Sequence, residues 1–321
     1  METNHPEFDI GVIGAGTAVQ MARTALNFYN KVAISHLGEP EASNGRFTFF
    51  PDPDIFFKNR IVKCVYIATP VASHSNFISK SVQYNLPCLV EKPILLDIDE
   101  AQHIANNVND IVAVAFKKRY SPLANEIKKM HQRSRSAPCQ IHYTYLAPHP
   151  GKSHWKIDPK ISGGGVLMDL GSHVLDLLEY CISPIFTVTL SEYHTVNGTD
   201  AYVAAKLNFS DGSVGEIRLG WASETSLQKI TYLQGTSEIA WQKSDHRDHA
   251  TAIRIEGQSV KSFASNRETE YLGLFDAYRS WVDGLPSDIP RWQDGMRNLK
   301  IIKTIEEMGR KGHQSAEVGR P

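Results

Sequence analysis

Phe8-Asp9-Ile10-Gly11-Val12-Ile13 reads as a short buried strand that runs straight into Gly14-Ala15-Gly16-Thr17-Ala18-Val19, and from there into a helical pattern carried by Met21, Ala22, Ala25 and Leu26. Strand, glycine turn, helix is the context that a phosphate-binding fingerprint requires. Gly14 permits the tight turn, and Gly16 lets the backbone approach a pyrophosphate at the helix N-terminus. Val19 stands where glycine or alanine is usual for close helix–strand packing. Downstream spacing supports the same architecture. Strands are expected at Lys31–His36, Lys63–Ala68, Cys88–Val90 and Ile111–Phe116, with helices at His74–Gln83 and Ile98–Val108. Between the second and third of these strands, Gly38–Arg46 is rich in breakers and leaves no room for a full crossover helix. Strands alternating with helices argue for a doubly wound parallel sheet, whose ligands sit at the carboxyl ends of the strands. Thr69-Pro70, Glu91-Lys92-Pro93 and Lys117-Lys118-Arg119 fall at those ends.

The second half changes period. Ser121–Gln132 is expected as a helix capped by Ser121 with Pro122 at its first position. Alternating, β-branched runs follow at Phe186–Leu190, Ala201–Phe209, Ser213–Leu219, Ile230–Gln234, Glu238–Trp241 and Ala252–Glu256, separated by turns such as Asp211-Gly212 and Gln234-Gly235. This predicts an α+β domain with a large, mostly antiparallel sheet, closed by helices at Thr269–Val282 and Met296–Met308. Gly309 and Gly312 are expected to stop the latter, and the tail from Gln314 to fray. The division expected is a dinucleotide-binding domain over residues 1–120 and a substrate-binding and oligomerisation domain over 121–321.

Within that second half, Gly163-Gly164-Gly165-Val166-Leu167-Met168-Asp169-Leu170-Gly171-Ser172-His173-Val174-Leu175-Asp176 puts an acid, a histidine and a second acid at i, i+4 and i+7. If helical, the three share one face, and each is costly there unless paired. A carboxylate beside an imidazole holds the ring in one tautomer and raises its basicity.

Composition narrows the function classes. The 321 residues are 41% hydrophobic and 21% charged with a formal net charge of -1, without the basic excess of a nucleic-acid binder. Met1–Glu7 carries neither a basic nor an apolar leader region, and no apolar run approaches the roughly 18–20 residues of a membrane span. Cys64, Cys88, Cys139 and Cys181 are far apart and are expected to be reduced and structural. The expected compartment is therefore cytoplasmic. Asp245-His246-Arg247-Asp248-His249 reads as a solvated hairpin tip, because its central arginine would repel a cation, and no metal site is expected.

Taken in order, Gly14-Ala15-Gly16, Tyr66-Ile67-Ala68-Thr69-Pro70 with His74, Glu91-Lys92-Pro93, Phe116-Lys117-Lys118-Arg119-Tyr120-Ser121-Pro122, Trp155-Lys156 and the Gly163–Asp176 run resemble the Gfo/Idh/MocA oxidoreductases, from about Asp9 to Gly312. The resemblance implies an NAD(P)-dependent dehydrogenase or reductase acting on a CH–OH or carbonyl group of a sugar, cyclitol or related polyol. It implies Lys92, Asp169 and His173 as catalytic residues, with Trp155 and Lys156 joining them against substrate. The cofactor is expected at Gly14, Gly16, Thr17, Ala18, Ser35, His36, Thr69, Pro70, His74, Glu91, Lys92 and Arg119.

The chemistry suits these side chains. His173 can take and give a hydroxyl proton, and Lys92 can stabilise an oxygen as alkoxide character develops. Asp169 either binds a substrate hydroxyl or holds the histidine, and Trp155 is either a substrate contact or a packing residue. Lys92 and His173 fall in different expected domains, so they are expected to meet at the carboxyl edge of the parallel sheet.

Three departures from the family pattern matter. Ser35 and His36 stand where an acid would bind the ribose 2′-hydroxyl, the loop Gly38–Arg46 is short with Arg46 beside it, and Lys117 replaces a neutral polar residue. The first two favour NADP over NAD, and the third points to an anionic substrate or a cofactor phosphate. The second domain's helices suffice for one face of its sheet, so a homodimer or homotetramer is expected, with Trp221 and Tyr232 as contacts. Neither nucleic acid nor membrane is an expected partner. Two rival functions remain: a non-catalytic dinucleotide sensor of the same fold, and a hydrolase using the Asp169/His173 pair, for which no nucleophile signal is present.

Overall fold

A computed structural model describes residues 6–36, 45–104, 108–133, 137–151, 154–244, 252–255, 258–261 and 267–319. Most of the Gly38–Arg46 loop and the Asp245–His249 cluster lie outside them. The chain divides into two compact units, residues 1–117 with 267–296, and residues 118–266 with 297–321. This differs from the expected division at residue 120 by returning a C-terminal segment to the first unit. The helix Arg267–Val282 explains the return: it buries Tyr271, Leu274, Phe275 and Tyr278. The Tyr278 hydroxyl donates to the carbonyls of Val65 and Pro87 at 2.9 and 3.0 Å, groups that belong to the first unit.

The first unit holds a six-stranded sheet: β1 Ile10–Ile13, β2 Val32–Ser35, β3 Phe47–Phe49, β4 Val65–Ile67, β5 Cys88–Val90 and β6 Val112–Val114. All pairings are parallel, in the order β3-β2-β1-β4-β5-β6. The apolar runs match buried strands, since β1, β4, β5 and β6 are buried at every position. The edge strand β3 was not expected, nor was the short helix Asp54–Lys58 between β3 and β4. Three residues of half-buried Phe-Thr-Phe are too short to show a period. His74–Gln83 is helical as expected. An α-helix was expected over Ile98–Val108; of its described residues, Asp99–His103 form a 3₁₀ turn instead, and Val108 begins a second at Val108–Asp110.

The second unit holds a nine-stranded sheet: β7 Gln140–Leu146, β8 Ile185–Val196, β9 Thr199–Phe209, β10 Val214–Gly220, β11 Leu227–Gln234, β12 Ser237–Ser244, β13 Ala252–Ile255, β14 Gln258–Lys261 and β15 Ser315–Glu317. Its order is β14-β13-β12-β11-β7-β10-β9-β8-β15, antiparallel except for the β7–β10 pair. Alternation assigns the faces. Ile141, Tyr143, Val203, Ala205, Ile217, Leu219, Ile230 and Tyr232 are buried, while Gln140, His142, Lys206, Asn208, Arg218 and Lys229 are exposed.

Ser121 caps the helix Pro122–Arg133 by accepting the Ala124 N–H at 3.1 Å. The expected frayed tail instead adds β15 against β8. Gly309 does not stop the last helix, which runs Trp292–Lys311; a β-carbon there would collide with the Tyr193 ring, and the positive φ of Gly312 (70°) comes just after the helix ends. Trp221 and Tyr232, expected as contacts for a partner subunit, are buried. The Tyr232 hydroxyl donates to Gln234 Oε1 at 2.7 Å within the unit. All four cysteines are free and buried, and burial pushes the thiols of Cys64 and Cys88 up to about 12.

Candidate active site

In the first unit, the turn after β1 is shaped by two different demands. Gly14 adopts φ 119°, and a β-carbon there would collide with the Ala68 backbone oxygen. Its N–H donates to the Ser35 carbonyl at 2.8 Å, tying the turn to the end of β2. Gly16 has nothing within 4 Å of where its β-carbon would be, and Ala15, Gly16 and Thr17 are exposed. The helix that follows is short, Thr17–Ala22, with Gly16 as its N-cap residue. The Ser35 hydroxyl oxygen is buried with no hydrogen-bond partner among the described residues. His36 lies edge-on to Phe49, with ring centroids 5.1 Å apart. Arg46 spends its guanidinium on Tyr29 O, Asn27 Oδ1 and Asn27 O, at 2.9–3.0 Å. An open glycine cradle beside a buried orphan hydroxyl fits a dinucleotide whose phosphates lie over Gly14–Ala18.

The loops after β4 and β5 are stapled together. His74 is 0% exposed. Its Nε2 faces the Thr69 carbonyl at 3.0 Å and its Nδ1 the Pro93 carbonyl at 3.0 Å. Burial outweighs these carbonyls and holds its pKa below the ordinary value. The Thr69 hydroxyl accepts from Ser73 Oγ at 2.7 Å, and Pro70 is exposed. Glu91 is buried, and its carboxylate accepts from the hydroxyls of Tyr66 at 2.6 Å and Tyr271 at 3.3 Å. Lys92 is half-buried and precedes Pro93 through a cis peptide bond. The Lys117 ammonium lies 4.1 Å from the centre of the Tyr271 ring, a cation–π contact.

In the second unit, the glycine run leads into a π-turn at Leu167–Gly171, which passes into the α-helix Ser172–Cys181. A π-turn inserts one residue into the winding, a feature common at functional sites. That offset rotates the downstream residues by about 100° relative to a continuous α-helix, which separates the second acid from the first. Asp169 is half-buried and takes both oxygens to the Lys156 ammonium, at 2.9 and 3.0 Å. His173 is half-buried one turn on. Asp176 is buried and binds Arg119 through Nε and Nη2 at 2.6–3.1 Å. Breaking such a buried pair typically costs about 3–5 kcal/mol, so Arg119 is committed to Asp176. Trp155 is 40% exposed, stacked on His154.

Two carboxylates were not anticipated. Asp200, at the start of β9, accepts the N–H groups of Gly165 at 2.9 Å and Leu167 at 2.6 Å. Burial, with the neighbouring Glu306 adding to it, pushes Asp200 up to about 7 despite those two donors. Glu306 is itself buried and paired with Lys303 at 3.1 Å. Strand alternation groups Asp200 with the exposed Lys206 and Asn208, so no local signal marks it. Among the described residues, no group of three histidine, cysteine or acidic side chains is placed to hold a metal ion, and no helix is long and apolar enough to cross a membrane.

Residues 8–116 match the model of an oxidoreductase family with an NAD-binding Rossmann fold, and residues 136–239 match the Gfo/Idh/MocA C-terminal domain. The chain belongs to the Gfo/Idh/MocA oxidoreductases. An oxidoreductase of Formosa agariphila is 27% identical over 52% of this chain, which spans 58% of that relative's length. D-xylose 1-dehydrogenase (NADP(+)) 2 of Haloferax volcanii is 20% identical over 97% of both chains. Among solved structures, levoglucosan dehydrogenase in complex with NADH and levoglucosan has a TM-score of 0.81 at 19% identity, covering 98% of this chain and 99% of the other. As a Gfo/Idh/MocA protein, this chain has an NAD(P)-binding Rossmann fold over residues 8–116.

Proposed function

We propose that this Gfo/Idh/MocA protein is an NAD(P)-dependent dehydrogenase that moves a hydride between nicotinamide and a CH–OH carbon of a sugar, cyclitol or related polyol. The observation that carries the reading is the half-buried Asp169 on the π-turn and the half-buried His173 one turn on, at the start of the α-helix, with the Lys156 ammonium on both Asp169 oxygens. Two half-buried ionisable groups at one helix start, with a lysine brought to them from the turn Trp155–Ile157, are costly unless they serve chemistry.

The bound nicotinamide supplies the hydride acceptor or donor. His173 takes the hydroxyl proton during oxidation and returns it during reduction, a role worth about 10²–10⁴-fold. Lys92 donates to the reacting oxygen as negative charge develops on it. Asp169 and Lys156 hold neighbouring substrate hydroxyls, and Trp155 offers an apolar face to a sugar ring. Gly14, Gly16, Thr17, Ala18, His36, Thr69 and Pro70 contact the dinucleotide, and the buried Ser35 supports the end of β2 beside it. His74 and Glu91 act through the loops they hold, and Arg119 through Asp176. The exposed polar face of the nine-stranded sheet, lined by His142, Thr144, Glu216, Arg218, Lys229 and Thr231, is covered by a second copy of the chain.

Purified protein should reduce NAD(+) or NADP(+) when offered a panel of sugars and polyols. His173→Ala and Lys92→Ala should each cut turnover by roughly 10²-fold or more, with dinucleotide affinity nearly intact. Dinucleotide binding with no turnover of any polyol would instead favour the sensor. A monomer mass by light scattering at micromolar concentration would remove the assembly.

A further inference from the structure

The glycine run before the π-turn is held from three sides within the second unit. Lys303 donates to the Gly163 carbonyl at 2.8 Å, and Ser162 Oγ to the Gly164 carbonyl at 2.7 Å. Asp200 takes the Gly165 and Leu167 N–H groups on separate carboxylate oxygens. A β-carbon at Gly165 would collide with the Asp200 backbone oxygen, and one at Gly164 would lie 2.5 Å from Glu306 Oε1. The glycines are there because two buried carboxylates occupy the space beside them. The clamp ends two residues before Asp169, whose own N–H donates to the Gly165 carbonyl at 3.1 Å. Farther along, Asn298 Nδ2 donates to the Ser172 carbonyl at 3.1 Å, holding the residue before His173. Asp200 is 3% exposed and so does not meet substrate.

We propose that Asp200 is a positioning residue: by gripping the Gly165 and Leu167 N–H groups it sets where the π-turn begins, and so where Asp169 and His173 point. This rests on the reading of His173 as the group that handles the hydroxyl proton. A carboxylate with two acceptor oxygens suits two adjacent N–H donors, whereas an asparagine presents one acceptor and turns an NH₂ toward the other donor. The volume is nearly unchanged, so the loss is of registry rather than packing. Displacing a catalytic group by about 1 Å is enough to cost roughly 10²-fold.

The experiment compares wild type, His173→Ala, Asp200→Asn and Asp200→Thr, a strand-former that keeps one acceptor. His131→Asn serves as a control, since it breaks the part-buried His131–Asp211 contact (2.8 Å) elsewhere in the same unit. Steady-state turnover of a polyol substrate, dinucleotide Kd and the imidazole titration of His173 by NMR are read for each. We expect both Asp200 variants to lose roughly 10²-fold in kcat, to displace the His173 titration and to leave dinucleotide Kd unchanged. His131→Asn should lower Tm and leave kcat and the titration in place. If wild type is active and His173→Ala is dead, but Asp200→Asn and Asp200→Thr keep wild-type kcat and an unmoved titration, the clamp is overturned. Equal losses in His131→Asn would also overturn it, because Asp200 would then act through stability alone. A wild type inactive with every polyol ends the functional reading, and with it this role; that outcome is separated from the others by its needing no variant.

Discussion

The chain uses glycine runs in two places, and they do opposite things. At Gly16 the backbone is bared to open space, with nothing within 4 Å of the missing β-carbon, while Gly14 in the same turn lies against the Ala68 backbone. At Gly163-Gly164-Gly165 the bared backbone is already filled, by the Asp200 backbone and the Glu306 carboxylate. At Gly16 the approach to the backbone is left open, whereas at Gly165 the protein's own carboxylate takes the N–H. Glycine in a sequence therefore reports close approach to backbone, and only the packing tells whether a ligand or a side chain makes that approach.

The largest expected effect tests the filled run. Gly165→Ala must displace the strand that carries Asp200, a backbone clash that no rotamer relieves, and should destabilise the protein by about 3 kcal/mol. Chemical denaturation would read this directly, and a loss under about 0.5 kcal/mol would mean that the run is not packed as described. Next comes the open turn. Gly16→Asp should leave stability close to wild type but weaken dinucleotide binding roughly a hundredfold, about 2.7 kcal/mol, because side chain and charge enter the phosphate position. Calorimetry showing unchanged affinity would remove the pyrophosphate from Gly14–Ala18.

How far each region could be read from sequence follows the same line. β1, β5 and the helix His74–Gln83 were legible because their apolar period is continuous, and Ser121 and Pro122 because cap chemistry is local. β3 and β15 were not, since neither is a buried apolar run like β5: Phe47–Phe49 is half-buried and Ser315–Glu317 is mostly exposed. Gly309 was misread as a stop because nothing local reveals the Tyr193 ring against it. In the site, Asp169 and His173 were legible by spacing, but the π-turn that parts Asp176 from Asp169 was not. Asp200 was invisible for the reason Gly309 was: its role is set by a contact 33–35 residues away.

A smaller effect comes from the titration of Asp200. Tyr193 and Glu306 face it electrostatically, and Lys303 and Arg310 pair with Glu306. The folded-state value of about 7 lies above the ordinary 3.8, so the folded state binds the proton more tightly than the unfolded chain. The stability this group contributes is full below its unfolded value and is lost as pH rises through the folded one. His74, whose pKa is held down, works the other way as pH falls below its ordinary value. The difference between wild type and Asp200→Asn isolates the carboxylate. That difference in Tm should favour wild type increasingly as pH is lowered from about 8 to about 5, and a flat difference would place Asp200 in an ordinary, solvated environment.

The smallest expected effect is the choice between the two dinucleotides, and it sharpens what the open turn recognises. An acid at the end of β2 would bind the ribose hydroxyls and repel a 2′-phosphate, but Ser35 and His36 stand there instead. Arg46, the cation that the sequence offers for such a phosphate, is held by Asn27 and Tyr29, so the lean towards NADP rests on the missing acid rather than on a dedicated cation. The preference should therefore be slight, with NADP bound at least as well as NAD. Titrations of both into wild type should agree to within about tenfold, roughly 1.4 kcal/mol. Replacing the small hydroxyl by an acid, Ser35→Asp, should shift the ratio towards NAD by weakening NADP alone. A wild type that already prefers NAD by more than about tenfold would show that the residues around the turn discriminate without an acid.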